Sequence, residues 1–337
     1  MATLDIFNND AFKLIPLTQA IIDIPRVPTQ LGDENLFKEQ GLVGTVMWIE
    51  RKGSSISLVP TAPRGGVAQP VGETNRKMIP VGCVHIPQRD AVLADAVLGV
   101  RAFNTEAELE TVQGLVNQKL TQMKANLDLT LEYQRIGALK GQVLDADGVT
   151  VLWDMYNIFG FSQTTLPWNI ATNNTSVDLK QFCINLKRSI RNALGGKPFT
   201  GVRVKCSEDF FDKLVAHQNM VAAWERWNSG EFKRTTQVDA DFEFADVTFQ
   251  IYSGGTNTGD FIPAGTAYAY PEGVPGMFQT WYGSADYMET VGQMGLPYYA
   301  KQERMEFDKG VKLESQSNPL MLNTLPEAVF KLSTAAS

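Results

Sequence analysis

The chain has 337 residues, of which 44% are hydrophobic and 20% charged, and its formal net charge is −7. This composition is typical of a folded protein with a sizeable core and room for subdomains, which excludes a disordered chain. The negative balance argues against a protein whose main role is to grip nucleic-acid phosphates. No apolar run approaches the ~18 residues that cross a membrane, and no secretion signal opens the chain, so we expect synthesis in a cytoplasm.

The first 40 residues contain short apolar groups separated by prolines at positions 16, 25 and 28. Because proline interrupts both helices and strand ladders, this pattern predicts one short helix near 16–22 and otherwise an arm that drapes over another surface.

The stretch 45–87 resembles strands at both ends but has too little apolar material in its middle to bury itself. Residues 45–50 and 55–59 are β-branched runs around a turn at 51–53, which predicts a hairpin. The segment 60–70 is rich in Pro and Gly and supports neither helix nor ladder, and the chain returns through 76–81. Such a ribbon is marginal in water unless something covers it. We infer that the cover is another copy of the chain.

The strongest helix signal begins at Thr105, which forms a capping box with Glu108. Apolar residues then follow at spacings of three and four, namely Leu109, Val112, Val116, Leu120, Met123, Leu127 and Leu131. Continued to Lys140, the helix would be about 36 residues and ~54 Å long, with Gly114 and Gly137 as the positions where it would bend or end. Leu115 and Leu129 broaden the apolar face, which favours packing on a sheet over a coiled coil.

The remaining chain predicts a mixture of helices and strands. Residues 142–154 form a hairpin with a turn at Asp147-Gly148, which we place beside the long helix. A helix at 178–194, a strand at 201–205, a helix capped by Ser207, a helix at 221–227 and strands at 242–244 and 247–252 indicate a compact α+β subdomain. After Gly265 we expect mostly strands and turns.

Arrangements of residues that carry catalysis or metal binding are missing from the sequence. His85 and His217 are the only imidazoles, and neither lies beside a nucleophile motif. The three cysteines, Cys83, Cys183 and Cys206, have no paired spacing and are interpreted as buried or idle thiols. Gly195-Gly196-Lys197-Pro198 lacks the spacing of a phosphate loop, and Asp145–Gly148 lacks the later ligands of a calcium loop. We therefore assign no catalytic, cofactor-binding or metal-binding residue and expect no enzyme activity.

The chain resembles the lambda-type major capsid (major head) protein family of tailed phages over nearly its whole length. The resemblance rests on a series of short segments, on their order and on their separation along the chain. These segments are 36–37 with Gly41, 45–50, 58–60 with Arg64 and Gly65, 145–148, 210–214 with His217 and Val221, 261–263 with Gly265, and 317–320. Each is a weak signal alone, and together they are fairly specific.

The resemblance implies an α+β, Hong Kong 97-like capsid fold. Carried to this sequence, it implies an N-terminal arm at 1–44, an extended loop at 45–88 and a peripheral domain at 89–177 with its spine helix at about 105–140. It further implies an axial domain at 178–295 and C-terminal strands at 296–337 that return to the peripheral domain. The chain would then be a major capsid protein that self-assembles into the icosahedral head of a tailed double-stranded DNA phage.

Contacts between subunits are assigned to the extended loop. The residues expected to make them are Arg64, Gly65, Gly66, Glu73, Arg76 and Lys77. The loop around Gly65 would lie across the neighbouring subunit's spine helix, where Arg76 and Lys77 would meet acidic groups. No cross-linking Lys-Asn pair is assigned.

The expected partners are other copies of the chain, as hexamers and pentamers, with a portal and a candidate decoration protein. No long scaffolding segment precedes the arm, so we also expect a separate scaffolding protein. The shell would enclose double-stranded DNA without specific binding and would contact no membrane. It would be assembled in the host bacterial cytoplasm and end in the virion capsid.

Two alternatives stay open at this point. An encapsulin-like nanocompartment shell of the same fold would purify with a cargo protein instead of a genome. A soluble α+β enzyme, from a different functional class, would behave as a compact monomer, although the scarcity of His argues against it.

Overall fold

The structure, a computed structural model, describes residues 10–27, 29–51, 77–94, 105–170, 178–218, 220–221, 241–256 and 259–335. The predicted strand at 55–59 and most of the predicted helix at 221–227 lie outside these ranges.

The described residues form α-helices, β-strands and short 3-10 turns in the following order. The helices are α1 (Leu14–Asp23), α2 (Gln30–Asp33), α3 (Thr105–Lys140), α4 (Met155–Phe159), α5 (Leu179–Ala193) and α6 (Glu208–Ala216). The first strands are β1 (Lys38–Gly41), β2 (Val46–Arg51), β3 (Lys77–Gly82), β4 (Ile86–Leu93), β5 (Gln142–Leu144), β6 (Val151–Asp154), β7 (Thr164–Pro167), β8 (Gly201–Cys206) and β9 (Phe242–Phe244). The later strands are β10 (Val247–Ile251), β11 (Gly255–Thr256), β12 (Gly259–Asp260), β13 (Thr266–Glu272), β14 (Phe278–Tyr282), β15 (Tyr299–Arg304), β16 (Gly310–Ser317), β17 (Pro319–Asn323) and β18 (Phe330–Ser333).

The chain divides into two compact units, each assembled from three separate stretches. The first comprises 1–47, 81–135 and 279–321, and the second comprises 48–80, 136–278 and 322–337. Helix α3 belongs to the first unit up to residue 135 and to the second from residue 136.

The first unit contains an antiparallel sheet in the order β15-β16-β4 and the strand order β1-β14-β17. Strand β1 pairs in parallel with β14, with Lys38 opposite Gln279 and Gly41 opposite Tyr282. Helix α1 packs against β15, where the Thr18 hydroxyl lies 3.4 Å from the Ala300 carbonyl oxygen. The predicted short helix near 16–22 is therefore confirmed, within slightly wider bounds.

Helix α3 confirms the predicted long helix, from Thr105 to Lys140 in 36 residues, and it continues through both glycines. In its described part the stripe Val116, Leu120, Met123, Leu127 and Leu131 is buried. Leu129 is 43% exposed, so the prediction that it widens the apolar face is wrong. The buried face is widened instead by charged and polar side chains that have partners, described below.

The second unit is built around a six-stranded sheet in the order β7-β18-β13-β8-β10-β9. Central β8 pairs antiparallel with β13 and in parallel with β10, so that Val204 lies opposite both Ala269 and Phe249. Buried Trp168 stacks on Phe182 of α5 at 5.8 Å and contacts Phe210 of α6 and Phe249 of β10 at 6.0 and 5.8 Å between ring centroids. Helices α5 and α6 thus share one aromatic core with the sheet.

Both helices of this core begin where the sequence predicts. The Asp178 carboxylate accepts a hydrogen bond from the Gln181 amide at the start of α5, and the Ser207 hydroxyl accepts one from the Phe210 amide at the start of α6. After α5 the chain turns through Gly195 and Gly196, both at positive φ, which confirms that this glycine pair follows a helix end.

The hairpin of β5 and β6 confirms the prediction at 142–154 and its place beside the long helix. Gly148 occupies the turn with φ +71°. A Cβ at Gly137 of α3 would lie 3.0 Å from both the Gln142 carbonyl oxygen and the Val143 Cα. Glycine at this position therefore lets the hairpin backbone approach the helix closely.

Candidate assembly surfaces

Strands β2 and β3 form a two-stranded ribbon that exposes apolar side chains on one face. Trp48 is 59% and Met78 62% exposed, and Val46 is exposed on the same face as Trp48 because side chains alternate along a strand. On the opposite face Ile49 and Val81 are buried. An exposed tryptophan and methionine on an isolated ribbon are typical of a surface that binds another protein.

The predicted intersubunit residues belong to the segment that this ribbon carries. Arg64, Gly65, Gly66, Glu73 and Arg76 lie outside the described residues, and Lys77 is the first residue of β3. Their assigned contacts therefore stay predictions.

A second arrangement, which we call the arm ladder, consists of Lys124, Asp128, Glu132 and Arg135 on α3. All four are buried, and their spacing of three to four residues places them on one side of the helix. Each contacts a different part of the segment that contains α1, α2 and β1.

The first three side chains of the arm ladder bind backbone groups of the arm. The Lys124 ammonium donates to the carbonyl oxygens of Ile21 and Ile22, at 2.9 and 3.1 Å, and to that of Ile24. The Asp128 carboxylate accepts the Val27 amide at 3.0 Å, and the Glu132 carboxylate accepts the Leu31 amide at 2.7 Å. The terminal carbonyls of α1 and two amides beyond it are thereby satisfied away from water.

The last residue of the arm ladder, Arg135, belongs to an ion-pair network centred on Glu39 of β1. The Glu39 carboxylate lies 3.0 Å from an Arg135 nitrogen and 2.7 Å from an Arg26 nitrogen. Arg135 also lies 3.5 Å from the Glu132 carboxylate. Because one carboxylate holds two guanidinium groups, the network ties β1 to the C-terminal part of α3.

Burial determines the electrostatics of the ladder. It lowers the pKa of Lys124, and the Asp128 carboxylate partly opposes this shift. Burial would also lower the pKa of Arg135, but the charges of Tyr282, Glu39 and Glu132 outweigh it and the net pKa is raised. The pKa of Tyr298, whose hydroxyl donates to Asp128 at 2.5 Å, is raised first by burial and then by that carboxylate. The ladder thus places a lysine and an arginine beside carboxylates in a buried environment.

Sequence reasoning missed the arm ladder because it followed only the apolar stripe of α3. Charged residues in a long helix are usually solvent-exposed, so nothing in their type indicates burial. Their positions do carry a signal, since Lys124, Asp128 and Glu132 lie next to the apolar stripe members Met123, Leu127 and Leu131.

The thiols and imidazoles occupy structural positions. Cys183 and Cys206 are buried, and burial raises the pKa of Cys83 to about 11 and that of Cys183 to about 12. A ring nitrogen of His85 lies 2.8 Å from the Asn318 side-chain oxygen, and His217 is buried. Such raised thiol pKa values disfavour the reactive thiolate.

The described part of the chain shows neither a candidate metal site nor a membrane-spanning helix. It contains no group of three or more His, Cys, Asp or Glu side chains that could hold a metal ion. No helix in that part is long and apolar enough to cross a membrane.

Comparison with known proteins finds similar chains among the major capsid proteins of phages. The chain is similar to the major capsid protein of Pseudomonas phage KPP10, at 24% identity over 95% of this chain and 96% of that protein. It is also similar to the major capsid protein of Salmonella phage Felix O1, at 22% identity over 94% of each.

Solved structures show the same fold at low sequence identity. The capsid of cyanophage P-SCSP1u matches with a TM-score of 0.50 and 9% identity over 94% of this chain and 90% of that one. The mature capsid of bacteriophage PhiM1 matches with a TM-score of 0.50 and 13% identity over 92% and 88%. These matches confirm the Hong Kong 97-type fold. Residues 14–334 match the model of the family described as phage major capsid protein E, and the chain therefore belongs to that structural family, which forms the icosahedral shell of tailed phages.

Proposed function

We propose that the chain builds this shell by laying the segment carried on β2 and β3 over a neighbouring copy. The observation that carries the proposal is the apolar face of the ribbon, where Trp48 and Met78 are more than half exposed. A shell made of copies offers each ribbon a partner surface, and burial of these two side chains would contribute on the order of 1.5–3 kcal/mol each. The residues proposed to contact the neighbour's spine helix remain Arg64, Gly65, Gly66, Glu73, Arg76 and Lys77.

The domain roles are part of the same proposal. Residues 1–44 would serve as the arm, 45–88 as the extended loop, 89–177 as the peripheral domain with α3 as its spine, 178–295 as the axial domain, and 296–337 as returning strands. The arm ladder supports the first of these roles, because residues 21–39 are held by side chains of α3 through polar contacts.

We further propose a separate scaffolding protein, a portal and a decoration protein as partners, with double-stranded DNA enclosed without specific binding. The net charge of −7 supports the last point, since a negatively charged wall lets a genome slide along it.

Deletion of residues 61–75 tests the extended loop. The variant should fold, because the described core does not include these residues, but it should not form shells. Circular dichroism and sedimentation would report the fold, and electron microscopy would report the particles. Normal particles from this variant would refute the proposed contact.

A point-mutant pair isolates the ribbon face. Trp48→Ser combined with Met78→Ser should weaken assembly, whereas Val149→Ser, which changes a side chain 79% exposed on the β5–β6 hairpin, should leave assembly intact. Equal particle yields from the two variants would show that the ribbon face makes no contact.

A nanocompartment shell of the same fold is the second candidate function, supported only by the shared fold. It predicts that particles purify with a cargo protein and without a genome. The match to phage major capsid protein E over 14–334 favours the phage head.

A further inference from the structure

We infer that the exposed face of α5 is an electrostatic contact between copies, and that it binds the acidic face of α6 in the next copy. This inference rests on the proposed shell function and specifies one of the interfaces that the shell needs. It concerns helices α5 and α6, and not the ribbon residues Trp48 and Met78.

Helix α5 carries four cations and no Asp or Glu over its 15 residues. The cations are Lys180, Lys187, Arg188 and Arg191. Lys180, Lys187 and Arg191 are spaced at i, i+7 and i+11, which places them in one stripe along the helix. Beyond the helix end, Lys197 adds a fifth cation.

Little within the chain neutralises this stripe. Lys187 forms an ion pair with Asp246 at 2.7 Å. Among the described residues, Lys180, Arg188 and Arg191 form no ion pair, and all three are exposed.

The helix dipole accounts for only part of the pattern. Cations near the C-terminal end of a helix, such as Arg191, stabilise that helix by themselves. Lys180 lies in the first turn, where the dipole disfavours a cation, and therefore contributes nothing to the stability of α5 through this effect. The helix dipole therefore does not account for the position of Lys180.

The complementary surface lies on α6 of the same unit. Its exposed side presents Glu208 and Asp212 one turn apart, and within the described residues neither forms an ion pair. A third carboxylate, Asp209, is already paired with Lys213 at 2.6 Å. The two neighbouring helices of one unit therefore carry opposite charge on their exposed faces.

Opposite faces on one subunit are what a ring of identical copies requires. A head-to-tail interface joins two different patches, and the ring closes when each copy uses both. Copies with a net charge of −7 repel one another at long range, and a basic patch that meets an acidic one overcomes this repulsion locally and sets the orientation. The helix dipole accounts for Glu208 in the first turn of α6 but not for Asp212, and phosphates would account for the basic face only, so the observations favour a second copy over nucleic acid.

Charge reversal tests the pairing. Arg188→Glu with Arg191→Glu should raise the concentration needed for half association by at least about tenfold at ~50 mM salt, and Glu208→Lys with Asp212→Lys should do the same. A chain with all four changes should regain association, since its faces are again complementary. Arg188→Lys with Arg191→Lys, which keeps the charge, serves as the matched control. Sedimentation velocity and electron microscopy without DNA are the readouts of association. Retention of added DNA by the variants is measured separately, and thermal melts verify the fold.

Rescue by the fourfold variant would support the inference. Association of both reversed variants at the wild-type concentration would overturn it while leaving the proposed shell function intact. Failure of the fourfold variant, with a selective loss of DNA retention in the α5 variant, would overturn it in favour of a nucleic-acid contact. A wild-type chain that stays monomeric at every salt concentration would contradict both this inference and the proposed function.

Discussion

Replacing Asp128 with alanine should release the arm from α3. Asp128 is 4% exposed, and its carboxylate accepts hydrogen bonds from the Val27 amide and the Tyr298 hydroxyl. Hydrogen bonds to a charged group contribute about 1.5–3 kcal/mol each, and removal of one member of a buried charge pair costs ~3–5 kcal/mol. Lys124 also loses its carboxylate neighbour, so we expect the substitution to lower the free energy of releasing the arm from α3 by about 3–5 kcal/mol.

The loss can be measured in two ways. Trypsin should cleave at Lys13, Arg26 or Lys38 on the order of a hundredfold faster, because ~3 kcal/mol corresponds to about two powers of ten in the opening equilibrium. If the arm does not detach separately, the urea midpoint should fall instead.

Two controls on the same residue and the same helix sharpen the result. Asp128→Asn keeps one acceptor and should give an intermediate loss. Asn126→Ala changes an exposed side chain of α3 and should stay within about 0.5 kcal/mol of the wild type. An unchanged cleavage rate together with an unchanged midpoint in Asp128→Ala would refute the role assigned to the arm ladder.

Two further predictions concern the helix and the buried tyrosines. Gly114→Ala should stabilise the subunit by up to about 1 kcal/mol in urea unfolding, because a Cβ at this position meets nothing within 4 Å. Gly137→Ala should destabilise the subunit, because a Cβ there meets backbone atoms at 3.0 Å. Stabilisation by both substitutions would contradict the close contact between the hairpin and α3. Burial raises the pKa of Tyr268 and Tyr282 to about 12. The contribution of these two neutral phenols to the free energy of unfolding is therefore complete below pH 10, which is about the pKa of tyrosine in the unfolded chain. It should be lost as the pH rises from about 10 to 12. Ultraviolet titration of the phenols with circular dichroism checks this, and normal titration of all nine tyrosines in a folded chain would count against it.

Much of the local structure could be predicted because short-range physics determines it. The predicted start at Thr105 and the apolar stripe of α3 agree with the bounds of the observed helix. Asp178 and Ser207 start their helices by accepting backbone amides, a contact that spans three residues. Such signals require no knowledge of the rest of the fold.

The long-range contacts could not be predicted in the same way. The arm ladder joins α3 to residues about 100 positions earlier, as in the pairing of Asp128 with Val27. The residue types alone indicated solvent-exposed charges, and only the fold shows that backbone amides and carbonyls lie opposite them. The intersubunit residues at 64–66 were assigned from the family resemblance and remain predictions.

The contacts of the arm ladder affect which substitutions the arm can accept during evolution. Lys124, Asp128 and Glu132 bind main-chain atoms of residues 21–31. The polar contacts of the ladder therefore set no requirement on the side chains at positions 22, 24 and 27, whereas Ile21 and Leu31 are also buried in the core. Proline at position 27 or 31 would remove a donated N–H group, so these two sites should reject the residue that already occurs at 25 and 28.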